Sequence, residues 1–294
     1  MNLRETVRRQ LQRAAHSTIG EVMAHEWWYS VLRAHTVVAN RLRERQEVRR
    51  LSSRTVRADV VTIIPTYRRP ELLRAAVVSA LAQDVADHAV IVVSDGEQVH
   101  ASLPDDPRLH VLELSRNTGV AGVVRNIGIR CSRSRYVAFL DDDNEWMPGH
   151  LAAIVTALDT GAHIAYTGVV RVLPGGREFD RLAEPYVRRT LRHRSYIDVN
   201  TMGVHRHGNI CFSRRRRYPQ EMPGEDWVYA WRQSRRGSVV QLPECSVRYL
   251  INPDSYFWPG FAEFASNSAD NAATASTSST ADTPGAPRTP EWAP

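Results

Sequence analysis

Apolar residues along the chain change period at about Val60, and the change divides the sequence. Over residues 1–57, positions such as Leu3, Val7, Leu11 and Ala14, then Val31, Leu32, Val38 and Leu42, fall at mixed intervals of three and four. That spacing predicts helices with one apolar face, an N-terminal helical extension. From Val60 onward, short apolar runs alternate with helical stretches. Residues 60–64 read as a buried strand ended by Pro65, and 71–83 as an amphipathic helix. Residues 89–93 form the next strand, closed by Ser94-Asp95-Gly96; 109–114 form a third. A helix over 120–131 leads to a fourth strand, 135–140, which runs directly into Asp141-Asp142-Asp143. This alternation predicts an α/β fold with a mainly parallel, doubly wound sheet flanked by helices. Ligands of such a sheet collect at the carboxyl ends of its strands.

Beyond this the rhythm loosens. A helix is expected over 151–158, a strand over 164–173, a Pro-Gly-Gly turn at 174–176 and an arginine-rich stretch through Arg194. A helix over 226–235 and a strand over 239–242 follow. From residue 266 the chain is mostly Ala, Ser, Thr, Asp and Pro, too poor in large apolar residues to bury a core, and is expected to be disordered. The predicted organisation is an extension (1–57), one α/β domain (58–265) and a low-complexity tail (266–294).

Length and composition agree with that division: 294 residues at 43% hydrophobic content supply one large domain plus short appendages. No run approaches the roughly 18 apolar residues of a membrane span. The N-terminus carries Arg4, Arg8, Arg9 and Arg13 with no apolar stretch behind them, so a cytoplasmic location is expected. Cys131, Cys211 and Cys245 are widely separated and suggest neither a disulfide framework nor a zinc site. The formal charge of +6 comes from arginine alone, lysine being absent. A basic balance suits anionic ligands, but serves nucleic acid or a membrane surface equally well. Nucleic acid is disfavoured because the arginines are scattered and form no recognisable motif with stacking aromatics. Arg41, Arg43, Arg45, Arg49 and Arg50 give the extension a basic face, either a solvated surface or a contact for acidic lipid or an acidic partner. The cluster Trp27-Trp28-Tyr29 fits packing, a membrane anchor or an oligomer contact.

The densest chemistry is Leu140-Asp141-Asp142-Asp143-Asn144 at a strand end. Three adjacent carboxylates repel one another unless cations or donors compensate. A hard divalent ion carrying a diphosphate supplies that compensation, which points to Mg²⁺ or Mn²⁺. Asp141 and Asp143 fall on one side of an extended segment and Asp142 on the other. The apolar flanks Phe139-Leu140 and Trp146-Met147-Pro148 argue against a casual acidic turn. Asp95 is either a nucleobase or ribose acceptor or a turn former. Pro65-Thr66-Tyr67-Arg68-Arg69-Pro70 offers a ring and polar groups to a nucleoside, or only a turn and helix start. Asn117-Thr118-Gly119 opens a helix bearing Arg125, where phosphate is attracted. Glu225-Asp226 fits a helix N-terminus stabilised by the dipole. His205 and His207 share one side if extended, and suit metal or acceptor contacts as well as an ordinary loop. Arg214 to Arg217 suit a phosphate or a solvated cluster.

Taken in order, these elements resemble glycosyltransferase family 2, enzymes of the GT-A fold, over about residues 60–250. The matching pieces are Pro-Thr-Tyr-Arg-Arg, Ser-Asp-Gly, Asn-x-Gly followed by Arg-Asn-x-Gly, the D-x-D cluster with Trp-Met-Pro behind it, and Glu225-Asp226. The resemblance implies an inverting transferase that moves a sugar from a nucleotide diphosphate, uridine being the commonest base, to a saccharide, lipid or small metabolite. It implies that Pro65, Thr66, Tyr67, Arg69 and Asp95 line the nucleoside side, that Asn117, Gly119 and Arg125 lie near the nucleotide, and that Asp141 and Asp142 approach the ribose or sugar. Asp143, with Asp141, would hold Mn²⁺ or Mg²⁺, and Asp226 would be the general base. Trp146, His205, His207, Glu225 and Trp227 are candidate acceptor or phosphate contacts. Ser94 departs from the family's usual first aspartate, and Q-x-x-R-W is absent, which disfavours processive synthesis. The alternatives are a sugar-nucleotide nucleotidyltransferase, which would carry a glycine-rich loop after the first strand, and a binding protein without turnover, which would be expected to have lost these carboxylates.

Overall fold

The computed structural model describes residues 20–99, 103–217 and 223–251. The expectations for residues 1–19 and for the low-complexity tail fall outside the described residues. In chain order the elements are α1 (Glu21–Leu32), α2 (Ala34–Arg50), β1 (Val56–Arg57), β2 (Val60–Thr66), α3 (Pro70–Leu81), β3 (His88–Ser94), β4 (Leu109–Glu113) and α4 (Ala121–Arg130). There follow β5 (Ser132–Arg133), β6 (Tyr136–Phe139), β7 (Asn144–Trp146), α5 (His150–Asp159), β8 (Ile164–Val172), β9 (Glu178–Leu182), α6 (Arg188–Leu191), β10 (Met202–His205), α7 (Glu225–Ser234) and β11 (Val239–Leu250).

One half of the main sheet is parallel, in the order β4-β3-β2-β6. Every residue of β2 and β3 is buried, as expected of parallel strands covered on both faces. On one face Ile63, Val93 and Phe139 pack with Val123 and Ile127 of α4. On the other, Ile64 and Val92 pack with Leu73 and Val77 of α3. Helix α4 lies tight because a Cβ at Gly128 would fall 2.8 Å from Ile63 Cγ2. Helix α3 starts with Pro70 in its first turn, where a missing N–H costs nothing.

Beyond β6 the sheet is mixed. β10 runs antiparallel between β6 and β8, β11 runs parallel to β8, β7 closes the edge antiparallel to β11, and β9 folds back on β8. β7 and β10 are too short to show a period of two, and β9 is mostly exposed with no apolar run, so the sequence pattern does not announce them. β11 reaches Leu250 instead of stopping near Leu242, because register shifts between Gln241 and Val247 absorb Pro243 in a bulge.

The extension reverses its expected polarity. Val31, Leu32, Val38 and Leu42 are exposed by 52–56%, whereas Glu26, Asn40, Glu44 and Glu47 are buried. The reason lies in the arginine run. Glu44 accepts from Arg214 Nε and Nη2 at 2.7 Å, and from Arg130 and Asn126 at 3.1 Å. Glu26 accepts from Arg215 Nε at 3.1 Å and Arg217 Nη2 at 2.9 Å. Those arginines are therefore committed to the extension, and the phosphate reading of Arg214, Arg215 and Arg217 is withdrawn.

Candidate active site

The carboxyl edge of the parallel half gathers the acids. After β2, Tyr67 is exposed, and Arg68 is the single non-glycine residue with positive φ (57°) among those described. Such strain persists where the surroundings impose it, often at functional loops. The Arg68 guanidinium lies 5.0 Å from the Tyr67 ring centre and pairs with Glu97 at 3.0 Å. Pro65 and Thr66 are buried at the strand end. Thr66 Oγ1 donates to Asp142 at 2.7 Å, so the middle acid turns back and ties the β6 loop to β2. Arg69 Nη1 reaches Asp143 at 2.7 Å and Asp142 at 3.3 Å.

Asp95, just past β3, accepts from Thr118 N at 2.7 Å, Thr118 Oγ1 at 3.1 Å and Gly119 N at 3.0 Å. Gly96 closes the same unit: at φ 90° it lies against the next loop, and a Cβ there would fall 2.4 Å from Asn117 N. Asp95 therefore holds the Asn117–Gly119 loop in place. Burial raises its pKa, and those two backbone N–H groups oppose the rise.

Arg125, buried on α4, links three acids. It donates to Asp141 and to Glu225, and stands 3.7 Å from Asp226. Those carboxylates hold it cationic, its pKa rising despite burial. Glu225 also accepts from Gly122 N at 3.1 Å, so it clamps α7 to α4 and is spoken for as an acceptor contact. Asp226 keeps one oxygen buried without a hydrogen bond, while its side chain as a whole is 35% exposed. Burial drives its pKa well up, Arg125 opposes, and Glu225, Asp141 and Asp198 add to the rise.

Two residues here escaped sequence reasoning. Asn200 Nδ2 donates to Asp141 at 3.2 Å and to Asp198 at 2.7 Å. Asp198 is pushed up to about 6, by burial first and by Asp141 next. Only the Asp198-x-Asn200 spacing marked them, a pattern common to ordinary turns.

Other candidates take different places. Trp146 is buried and donates its indole N–H to Asn200 O at 2.8 Å, so it supports the site from behind instead of touching an acceptor. Trp227 is likewise buried, donating to Leu191 O at 2.7 Å. His205 pairs with Tyr136 at the start of β6, whereas Asp141 follows its end. His205 and His207 lie with ring centres 4.7 Å apart and planes tilted by 49° at that opposite edge, away from the acids.

For a divalent ion the donor set is suitable but incomplete. Asp143 is pushed up to about 7, by burial first and then by Asp141 and Asp142, with Arg69 opposing. A carboxylate so destabilised gains from a neighbouring cation. Among the described residues no three His, Cys, Asp or Glu side chains converge on one point. The remaining ligands would therefore come from the donor's phosphates or water, the usual habit of Mg²⁺.

Fold and acidic edge together define a glycosyltransferase of the GT-A type. The chain belongs to glycosyltransferase family 2: the family profile described as Glycosyl transferase family 2 matches residues 61–221, more than half of the sequence. It is 32% identical over 152 residues to the succinoglycan biosynthesis protein ExoO of Rhizobium meliloti (strain 1021), covering 49% of this chain and 43% of that protein. With succinoglycan biosynthesis protein ExoW of the same organism it shares 33% over 102 residues, 32% of each. The chain thus spans less than half the length of these curated relatives. The crystal structure of Staphylococcus aureus TarS 1–349 in complex with UDP-GlcNAc superposes with a TM-score of 0.51 at 18% identity, covering 67% of this chain and 60% of that one. A likeness at that identity bears on the fold.

Proposed function

We propose that the protein is an inverting, metal-dependent glycosyltransferase that moves a sugar from a nucleotide diphosphate, a uridine donor first among them, to an acceptor hydroxyl. The observation that carries this reading is Asp226: a carboxylate at the start of α7, partly open, raised in pKa and held against Arg125 and Asp141 at the sheet edge. A base with elevated pKa suits proton abstraction near neutral pH. The acceptor oxygen attacks the anomeric carbon as Asp226 takes its proton. The bond from that carbon to the diphosphate breaks on the opposite face, and the nucleoside diphosphate leaves with the electron pair. Asp143, with Asp141, would hold Mn²⁺ or Mg²⁺, which supplies charge stabilisation to the departing phosphate oxygens. Asn200 and Arg125 fix Asp141, while Tyr67 and the Asn117–Gly119 loop offer a nucleoside its surfaces. The UDP-GlcNAc bound by TarS supports a uridine donor.

No helix among the described residues is long and apolar enough to cross a membrane. The exposed row of Trp27, Val31, Leu32, Val38 and Leu42, with exposed Arg41 and Arg45 beside it, favours peripheral attachment to an acidic membrane surface.

The test is thermal unfolding of the full chain with UDP, GDP, ADP and CDP, each with and without Mn²⁺. One nucleotide at a hundredfold excess over its Kd should stabilise the protein by about 2.7 kcal/mol, and only with metal. A flat response to every diphosphate refutes the donor reading.

A further inference from the structure

A second concentration of positive charge lies away from the acidic edge. Arg188, Arg189, Arg192 and His193, on and just after α6, surround a cavity of about 590 Å³ walled by Trp231 of α7. Its size is within the range of small-molecule sites. Trp227, one turn before Trp231, joins the two helices by donating to Leu191 O at 2.7 Å. Two of these cations carry no counter-charge among the described residues. Arg194, the next arginine, is paired with Glu184, whereas Arg188 and Arg189 are exposed and form no ion pair among the described residues. Trp231 is buried, and its indole N–H finds no acceptor. The cavity lining thus carries cationic and donor groups and, among the described residues, no acid.

The donor's diphosphate does not account for these groups, because its charge would be met at the acidic edge by Arg69 and by the divalent ion that Asp143 and Asp141 would hold. Helix α7 links the two places: Asp226 lies in its first turn, and Trp231 follows five residues later, about 7.5 Å along the axis. We infer that this cavity is an acceptor subsite for a phosphate group, so that the acceptor is a phosphate-bearing molecule whose hydroxyl is presented to Asp226. Guanidinium pairs bind phosphate oxygens with charge-assisted, often bidentate hydrogen bonds, and that geometry selects phosphate over a neutral sugar. The inference rests on the glycosyl transfer proposed above.

The test uses the full chain and inorganic pyrophosphate in EDTA, followed by titration calorimetry. The double variant R188A/R189A should weaken binding by tenfold or more, and Trp231→Phe, which keeps the ring and loses the N–H, by about threefold. Pyrophosphate affinity within twofold of the parent in R188A/R189A overturns the subsite. Co-sedimentation with phosphatidylglycerol vesicles separates a lipid surface from a discrete phosphate. If the double variant loses vesicle binding yet keeps pyrophosphate, the arginines serve the bilayer, and the subsite is again refuted. UDP with Mn²⁺ should stabilise parent and double variant alike. If it stabilises neither, the transfer reading fails by itself, and the pyrophosphate titration still reports on the cavity.

Discussion

Nη1 of Arg125 stands 3.7 Å from Oδ1 of Asp226, an oxygen that is buried and accepts no hydrogen bond. The contact is electrostatic and too long to fix the proton, so the carboxylate stays available to an incoming hydroxyl. Asp226→Asn keeps the shape and removes the basicity. Turnover should fall about 10²- to 10⁴-fold, the usual worth of general base catalysis, with nucleotide affinity retained. Steady-state rates alongside a nucleotide titration check this; transfer at the parent rate would remove Asp226 from the mechanism.

Arg125 itself holds the site together. Arg125→Ala leaves Asp141 and Glu225 facing each other without their shared cation, and breaking a buried pair in this way costs about 3–5 kcal/mol. Urea unfolding should show the midpoint fall at unchanged slope. Arg125→Lys keeps the charge but loses the fork that reaches two acids, and should recover only part of the loss.

Asp143→Asn removes the acid that burial and its neighbours push up to about 7. The Mn²⁺-dependent part of the stabilisation by UDP should vanish, while any metal-independent part remains. A variant whose shift with Mn²⁺ matches the parent would exclude Asp143 as a ligand.

His150 supplies a pH signature. It is buried, with Nδ1 2.8 Å from Ser246 Oγ, and burial holds its pKa at about 3, well below the ordinary imidazole value of 6.5. Below pH 6.5 the unfolded chain takes up a proton that the folded chain refuses. Stability therefore falls as pH drops from 6.5 towards 3, by up to about 1.4 kcal/mol per unit, and this contribution is flat above 6.5. His88, held at about 4 by burial, acts in the same direction. Calorimetric melting between pH 7 and 5 should show the decline, and His150→Gln should flatten it by close to one proton.

The parallel half of the sheet was legible because β2 and β3 are covered on both faces, and full burial demands unbroken apolar runs such as Val60 to Ile64. Asp141 to Asp143 were legible for a related reason: three acids directly after a buried strand have few structural uses. Strands β7 and β10 were not, since three or four residues cannot display a period. Asn200 was hidden because its role depends on Trp146 and Asp141, which are distant in sequence and adjacent only after folding. The extension misled most. Its apolar spacing at Val31, Leu32, Val38 and Leu42 was correct as a helix signal, but the inward face is set by Glu26 and Glu44, whose partners Arg215 and Arg214 lie 189 and 170 residues downstream.

That reversed polarity bears on how the chain tolerates being recombined. Arg215 is wholly enclosed, and Glu26 on α1 is its carboxylate partner, so an enzyme begun at Val60 would strand a cation in its interior. Grafting the first helices of another sequence onto this domain should fail unless residues 212–217 are exchanged along with them. Two segments far apart in the sequence are in this sense one heritable module.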